Sequence, residues 1–403
     1  MAVAFAMAGN ANAAFTPTAW SLGTSTTQAG AHPAITLSAS DDPVAGDANG
    51  DDLSQLQIDL PAGLLVNPQS VATPCTTAQF NADTCPAATQ VGTISVSYRV
   101  AGKINTATGS VYSITPDSNS LINFGFIVRP TTSFQKLLFS SGRATGLTTV
   151  RQGLDADYGL SILIPNIPRS IKSTIGISTP MTISNVTITL NPRSGATQNG
   201  SYFTFSPTRC SAANSRATFS SYGTTTTTTL ASGYVPTGCN QLKFDPTFAQ
   251  TSTNQNAGQA TGINATVTMP TADQTIQEQQ PQNIDVSLPT GTTINLGVIN
   301  STAVCTDAQL GSDTCPAASQ IGNATVNVPS LPAPMTGQIY LTSRSPITFG
   351  YIVRGARGTI AILRGSADLE DGAVTAHFQS LPQVPWSSAN LNFTALVINN
   401  PAN

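Results

Sequence analysis

The sequence predicts an all-β protein made of tandem, disulfide-stapled, β-sandwich-like modules with very short helical turns. Three observations carry this expectation. Stretches that alternate apolar and hydroxyl side chains recur along the whole 403-residue chain, divided by Pro, Gly and Asn clusters. Six cysteines fall into three local pairs. Sustained apolar stripes of helical period are nearly absent.

The strands are justified residue by residue. Met181–Leu190 sets Ile183, Val186, Ile188 and Leu190 against intervening Thr and Ser, a pattern that suits a half-buried pleated surface. Ala265–Met269 and Leu391–Leu396 repeat it, and Val91–Val100, Asn123–Arg129 and Ser201–Phe205 are further strands. Turn residues interrupt them about every 8–15 residues, the spacing of a sandwich. Thr76–Phe80 and Thr306–Leu310 are the exceptions. Each opens with a Thr suited to N-capping just after a cysteine, and Pro86 or Pro316 follows the turn. Each reads as one helical turn with Phe80 or Leu310 pointing inward. Thr224–Thr229 is a run of six Thr that predicts an exposed hairpin strand, with a site of O-glycosylation as the alternative.

Cys75/Cys85, Cys210/Cys239 and Cys305/Cys315 are predicted disulfides. The count is even, the tight pairs are too widely spaced for a zinc site, and neither His32 nor His377 is near them in sequence. Each short loop is expected to contribute about 3 kcal/mol. The opening MAVAFAMAGNANAAFTP joins an apolar run to a small-x-small cleavage pattern. Residues 1–13 are therefore expected to be the later part of a secretory signal peptide cut after Ala13, with the positively charged portion upstream. Secretion or display at the cell surface follows.

Composition narrows function by exclusion. Only 9% of residues are Asp, Glu, Lys or Arg and the net charge is −3, against a usual quarter of charged residues. That leaves no basic surplus for a nucleic-acid partner. No run reaches the length of a transmembrane helix. With two His and two Glu, general acids and bases are few.

The chain also repeats itself. Phe15-Thr-Pro-Thr18 recurs as Phe244-Asp-Pro-Thr247, Leu60-Pro-Ala-Gly63 as Leu288-Pro-Thr-Gly291, CPAATQVG from Cys85 as CPAASQIG from Cys315, and INFGFIVR from Ile122 as ITFGYIVR from Ile347. A period this long marks a domain-sized module. Module one is expected over 15–243, with a front part at 15–194 and a disulfide-closed back part at 195–243. Module two covers 244–403 and contains the front part only. The series Leu-Pro-x-Gly-Leu (Leu60–Leu64), Asn67-Pro68, Cys75–Phe80 and CPAATQVG resembles a repeat of large secreted actinobacterial proteins. The resemblance covers module one nearly throughout. Module two departs from it at Asn256–Thr261. It implies an exported or surface location and a repeated architecture, and it implies no activity.

Candidate sites are sparse. Asp47-x-Asn49-x-Asp51 matches the first half of a calcium loop, which makes calcium the one cofactor suggested. Asp52 in place of Gly and Ile58 in place of Glu favour an ordinary solvated loop. Trp386, on the Pro-rich loop Leu381–Trp386, is a candidate ligand contact for a glycan, with a plug over the end of the sandwich as the alternative. Arg129 and Arg354, shared by both modules, are expected to satisfy carbonyls at a strand end. Ser133-Phe-Gln-Lys136 is read as chance. Asp155, Asp157, Asp368, Glu370 and Asp371 could supply paired carboxylates, though nothing singles them out. The expected function is that of an exported, non-enzymatic structural or adhesive protein meeting cell-envelope or extracellular surface components. The alternative is a carbohydrate- or surface-partner-binding module.

Overall fold

The computed structural model describes residues 16–41, 52–100, 102–132, 141–173, 175–190, 202–223, 225–270, 275–370 and 373–398. The proposed signal segment at 1–13, the calcium-loop residues Asp47, Asn49 and Asp51, and the Ser133–Lys136 string lie outside them.

The first half contains β1 (Pro17–Thr24), β2 (Ile35–Asp41), β3 (Leu53–Asp59), β4 (Leu65–Val66), α1 (Thr77–Ala82), β5 (Gln90–Val100), β6 (Lys103–Ile114), β7 (Ile122–Pro130), β8 (Gly142–Val150) and β9 (Leu160–Ile164). It continues with β10 (Ser170–Lys172), β11 (Ser178–Pro180), β12 (Thr182–Leu190), β13 (Thr204–Phe205), β14 (Ala213–Ser221) and β15 (Thr227–Tyr234). Eleven strands form one antiparallel sheet in the order β1-β2-β12-β5-β6-β7-β8-β9-β3-β14-β15.

Cross-strand register explains why this pattern of residues makes a sheet. On β12, Ile188 lies opposite Leu37 of β2 on one side and Ile94 of β5 on the other; Val186 likewise lies between Ala39 and Val96. These rows are buried in the core. The alternate residues face outward, where Thr187 and Ser38 hydroxyls bond at 3.1 Å. Hydroxyls thus take positions where Lys and Glu often stand, which accounts for the low charge. The sheet curls until its edges meet. Ser232 Oγ on β15 accepts a hydrogen bond from the Leu22 N–H of β1 at 3.1 Å. The all-β class and the short helical turns are therefore as expected, while the two faces of the sandwich are opposite walls of one continuous sheet. Strand twist makes that curl the natural outcome for so many strands.

The second half contains β16 (Thr247–Ser252), β17 (Ala260–Thr268), β18 (Ile284–Ser287), β19 (Thr293–Ile294), α2 (Leu296–Ser301), α3 (Asp307–Gly311), β20 (Gln320–Asn327), β21 (Met335–Arg344), β22 (Ile347–Arg354), β23 (Ile360–Glu370), β24 (Ala373–Phe378) and β25 (Ser388–Ile398). Its main sheet runs β16-β17-β25-β20-β21-β22-β23-β24-β18. Taken in chain order, this is the arrangement of the first nine strands of the first sheet. Among the described residues nothing in the second sheet corresponds to β14 and β15.

Candidate functional site

All three predicted disulfides are formed: Cys75–Cys85, Cys210–Cys239 and Cys305–Cys315. Among the described residues no cysteine is free. The two short staples enclose α1 and α3. Each helix opens with a capping box, Thr76 with Gln79 and Thr306 with Gln309, so two backbone donors are satisfied reciprocally. Each then seats one apolar side chain on the neighbouring sheet, Phe80 over Gly125 of β7 and Leu310 over Gly350 of β22. Arg129 and Arg354, from the ends of those same strands, form ion pairs with Asp83 and Asp313. Both Asp residues lie in the left-handed region, with φ of 61° and 55°. The arginines thus clamp the stapled turn, which corrects the expectation that they satisfy strand-end carbonyls. A guanidinium fork meeting a carboxylate is the stronger partnership.

The two halves meet at a joint built from specific polar bonds. Tyr158 Oη accepts from the Ile362 N–H at 2.9 Å and lies 2.9 Å from the Ile362 and Gly153 carbonyl oxygens, to which its one proton is donated. Gln152 Nε2 donates to Gly358 O and Gln152 Oε1 accepts from Ile360 N, both at 2.9 Å. Arg357 donates to Leu121 O at 2.7 Å, and Arg209 to Leu381 O at 2.8 Å. Burial pushes the Tyr158 hydroxyl above its ordinary range and pushes the Arg209 guanidinium below its own. Tyr351, buried nearby, is raised by burial first and by Tyr158 second.

An apolar cavity of about 150 Å³ lies at this joint, and a second of about 80 Å³ lies deeper in the second sheet. The first is lined by Leu121, Val150 and Leu160 from one half and by Val286, Val353 and Trp386 from the other. Both tyrosines reach it, and burial disfavours the ionised form of each. Its walls offer shape and apolar contact and no ionised group. Trp386 is 8% exposed and belongs to this wall.

Outside the joint, His377 lies between two carboxylates, with Nδ1 2.8 Å from Asp285 and Nε2 3.3 Å from Asp368. Both ring nitrogens are thereby engaged. Asp157 is bound by Arg151 through Nε and Nη2, at 2.9 and 2.7 Å. Burial acts to raise Asp157, but the Arg151 hydrogen bond and the Gly159 N–H outweigh it, and its carboxyl sits below the usual range. Asp155 is 3.9 Å from Arg364. Asp52 is buried against Arg169 Nε at 3.0 Å. Of the candidate carboxylates, Asp155 and Asp157 thus face arginines and Asp368 faces His377, while Asp371 and the Glu370 side chain lie outside the described residues. His32 stacks on Tyr202 with ring centroids 3.6 Å apart. Among the described residues no group of three His, Cys, Asp or Glu side chains is arranged to hold a metal ion, and no helix is long and apolar enough to cross a membrane.

The joint is what sequence reasoning missed. Compared with protein-family models, curated proteins and solved structures, the chain matches none of them.

Proposed function

We propose that this chain is an exported, non-enzymatic structural or adhesive protein of the cell surface or extracellular space, in which two tandem β-modules act as one stiff unit. The observation that carries the reading is the joint. Tyr158, Gln152, Arg357 and Arg209 fix one sheet against the other through backbone groups, and Leu331 and Val384 pack onto the core of the first sheet. A spacer needs this kind of locked interface more than it needs a mobile cleft. The three disulfides are compatible with an oxidising compartment. The outward hydroxyls and amides suit repeated weak contact with envelope components.

The test has two parts. Fractionation of the source cells should find the chain in the medium or the envelope with its cysteines oxidised; an exclusively internal, reduced pool would sink the reading. Beads coated with the full chain should then adhere to isolated envelopes above an albumin control. A glycan array probed with the full chain addresses the alternative, and a saturable glycan signal would shift the conclusion to carbohydrate binding.

A further inference from the structure

Among the described residues, the main path of the second sheet lacks one hairpin that the first has, and β19 pairs with β25 beside that path. In the first, β14 and β15 fill the space between β3 and β1. β14 pairs with β3, placing Phe219 opposite Leu56 and Ala217 opposite Ile58, and both side chains enter the core. Phe219 is 1% exposed. β15 pairs with β14 and bonds to β1 through Ser232. The Cys210–Cys239 disulfide closes the hairpin at its base. Beside it, Trp20 of β1 is 7% exposed.

In the second sheet β18 holds the place of β3, and β16 that of β1. Among the described residues no strand pairs with the outer side of either. Register identifies the residue most affected. Trp20 lies opposite Ala39, two steps beyond Leu37. Phe248 lies opposite Val267, two steps beyond Ala265. Directly opposed residues point to the same face, so Phe248 shares a face with Val267, which lines the cavity at the joint. Phe248 is nonetheless 52% exposed. Behind it, both apolar cavities reach Val286 of β18 and Ala265 of β17, and the larger also reaches Ile284. By register with Leu56 and Ile58 these are the positions beside which Phe219 and Ala217 would stand. Among the described residues, the second sheet thus has two unpaired edges, an exposed aromatic on its inner face, and unfilled apolar volume between them.

We infer that the seam between β16 and β18 accepts a two-stranded β-hairpin supplied from outside the described residues. Its strand against β18 carries an aromatic or aliphatic side chain inward beside Ile284 and Val286, with hydroxyl side chains outward. Unpaired edges supply main-chain bonding, and the apolar volume supplies the side-chain pocket, the two components of strand addition. The occupant is argued from the first sheet, where a hairpin of this chemistry covers the corresponding seam. A second copy of this chain is a poorer fit. Its own hairpin is committed to its first sheet, and its unpaired edges belong to curled sheets that cannot enter a seam.

The test uses the full chain and a synthetic peptide of sequence Pro207–Asn240, closed by its own disulfide. Titration should show saturable one-to-one binding. Amide exchange should slow in Thr247–Ser252 and Ile284–Ser287 and stay unchanged in β1 and β3. A peptide carrying Phe219→Asp, and a protein carrying Phe248→Lys at its exposed position, should each weaken binding about tenfold or more. The inference is overturned by no binding up to about millimolar peptide, by protection of β1 and β3 instead, or by binding indifferent to both substitutions. Concentration-dependent dimerisation that protects β16 and β18 without peptide would also overturn it, since a second copy would then be the occupant.

Discussion

The ring of Phe80 occupies the space above Gly125 so closely that a Cβ added there would stand 2.6 Å from it, and Leu310 meets a Cβ added at Gly350 at the same distance. The Phe-Gly-aromatic motif of each half is therefore the floor on which a stapled helical turn rests. Gly125→Ala should lift α1 from β7 and lower stability by about 1–3 kcal/mol, the usual cost of overpacking. Urea unfolding of the single variant checks this. Gly102→Ala provides the control, because nothing lies within 4 Å of a Cβ there; its φ of +76° adds backbone strain but no clash.

The clamp on that turn can be tested separately. Asp83 and Asp313 sit at positive φ, a conformation that Asn tolerates nearly as well. Asp313→Asn therefore removes the charge facing Arg354 with little backbone penalty. The pair is partly exposed, so the expected loss is about 0.5–1 kcal/mol, and it should shrink in high salt. A loss that is independent of salt would mean the contact acts through packing instead.

Tyr158→Phe removes one oxygen that serves both backbone groups of Ile362. A buried donor left without a partner costs about 1–3 kcal/mol. The variant should keep its disulfides and secondary structure, while the Ile362 amide should exchange faster and the halves should unfold less cooperatively. Unchanged exchange at Ile362 would show that the joint is held elsewhere.

His377 makes stability depend on pH. Hydrogen bonding to Asp285, opposed by some burial and aided by Asp368, raises its pKa above the ordinary value. A group raised on folding contributes its full stabilisation below the unfolded pKa of about 6.5 and loses it as pH rises through the folded value. The advantage of the native protein over His377→Gln in unfolding midpoint should thus be larger near pH 5.5 than near pH 8.5. An NMR titration of the His377 ring should place its midpoint above about 6.5.

Trp386→Ala should enlarge the cavity at the joint and destabilise the chain by about 3–5 kcal/mol. Trp20 and Trp386 are both nearly buried, so native emission should be blue-shifted and poorly quenched by iodide. Strong quenching would place at least one of them on the surface.

The strands and staples were legible because their signals are local. Alternation over Met181–Leu190 marks β12 within one stretch, and each Thr after a cysteine marks a cap. Whether the alternating strands made two sheets or one curled sheet was not legible, since both bury every second residue. The arginine clamp was legible in principle: Asp83-Thr-Cys85 and Asp313-Thr-Cys315 repeat the same Asp two residues before a cysteine. Nothing in the sequence marks Tyr158 and Ile362 as partners. They lie 204 residues apart, and neither belongs to a motif.

The three staples also set how the chain would lengthen under tension. A disulfide withholds the residues between its cysteines from extension, at about 3.5 Å for each residue. The short staples, with separations of 10, hide about 35 Å apiece, and the Cys210–Cys239 loop, with a separation of 29, hides about 100 Å. Pulled from its ends, the first half would therefore release less of its chain than its residue count implies, and reduction would restore the difference.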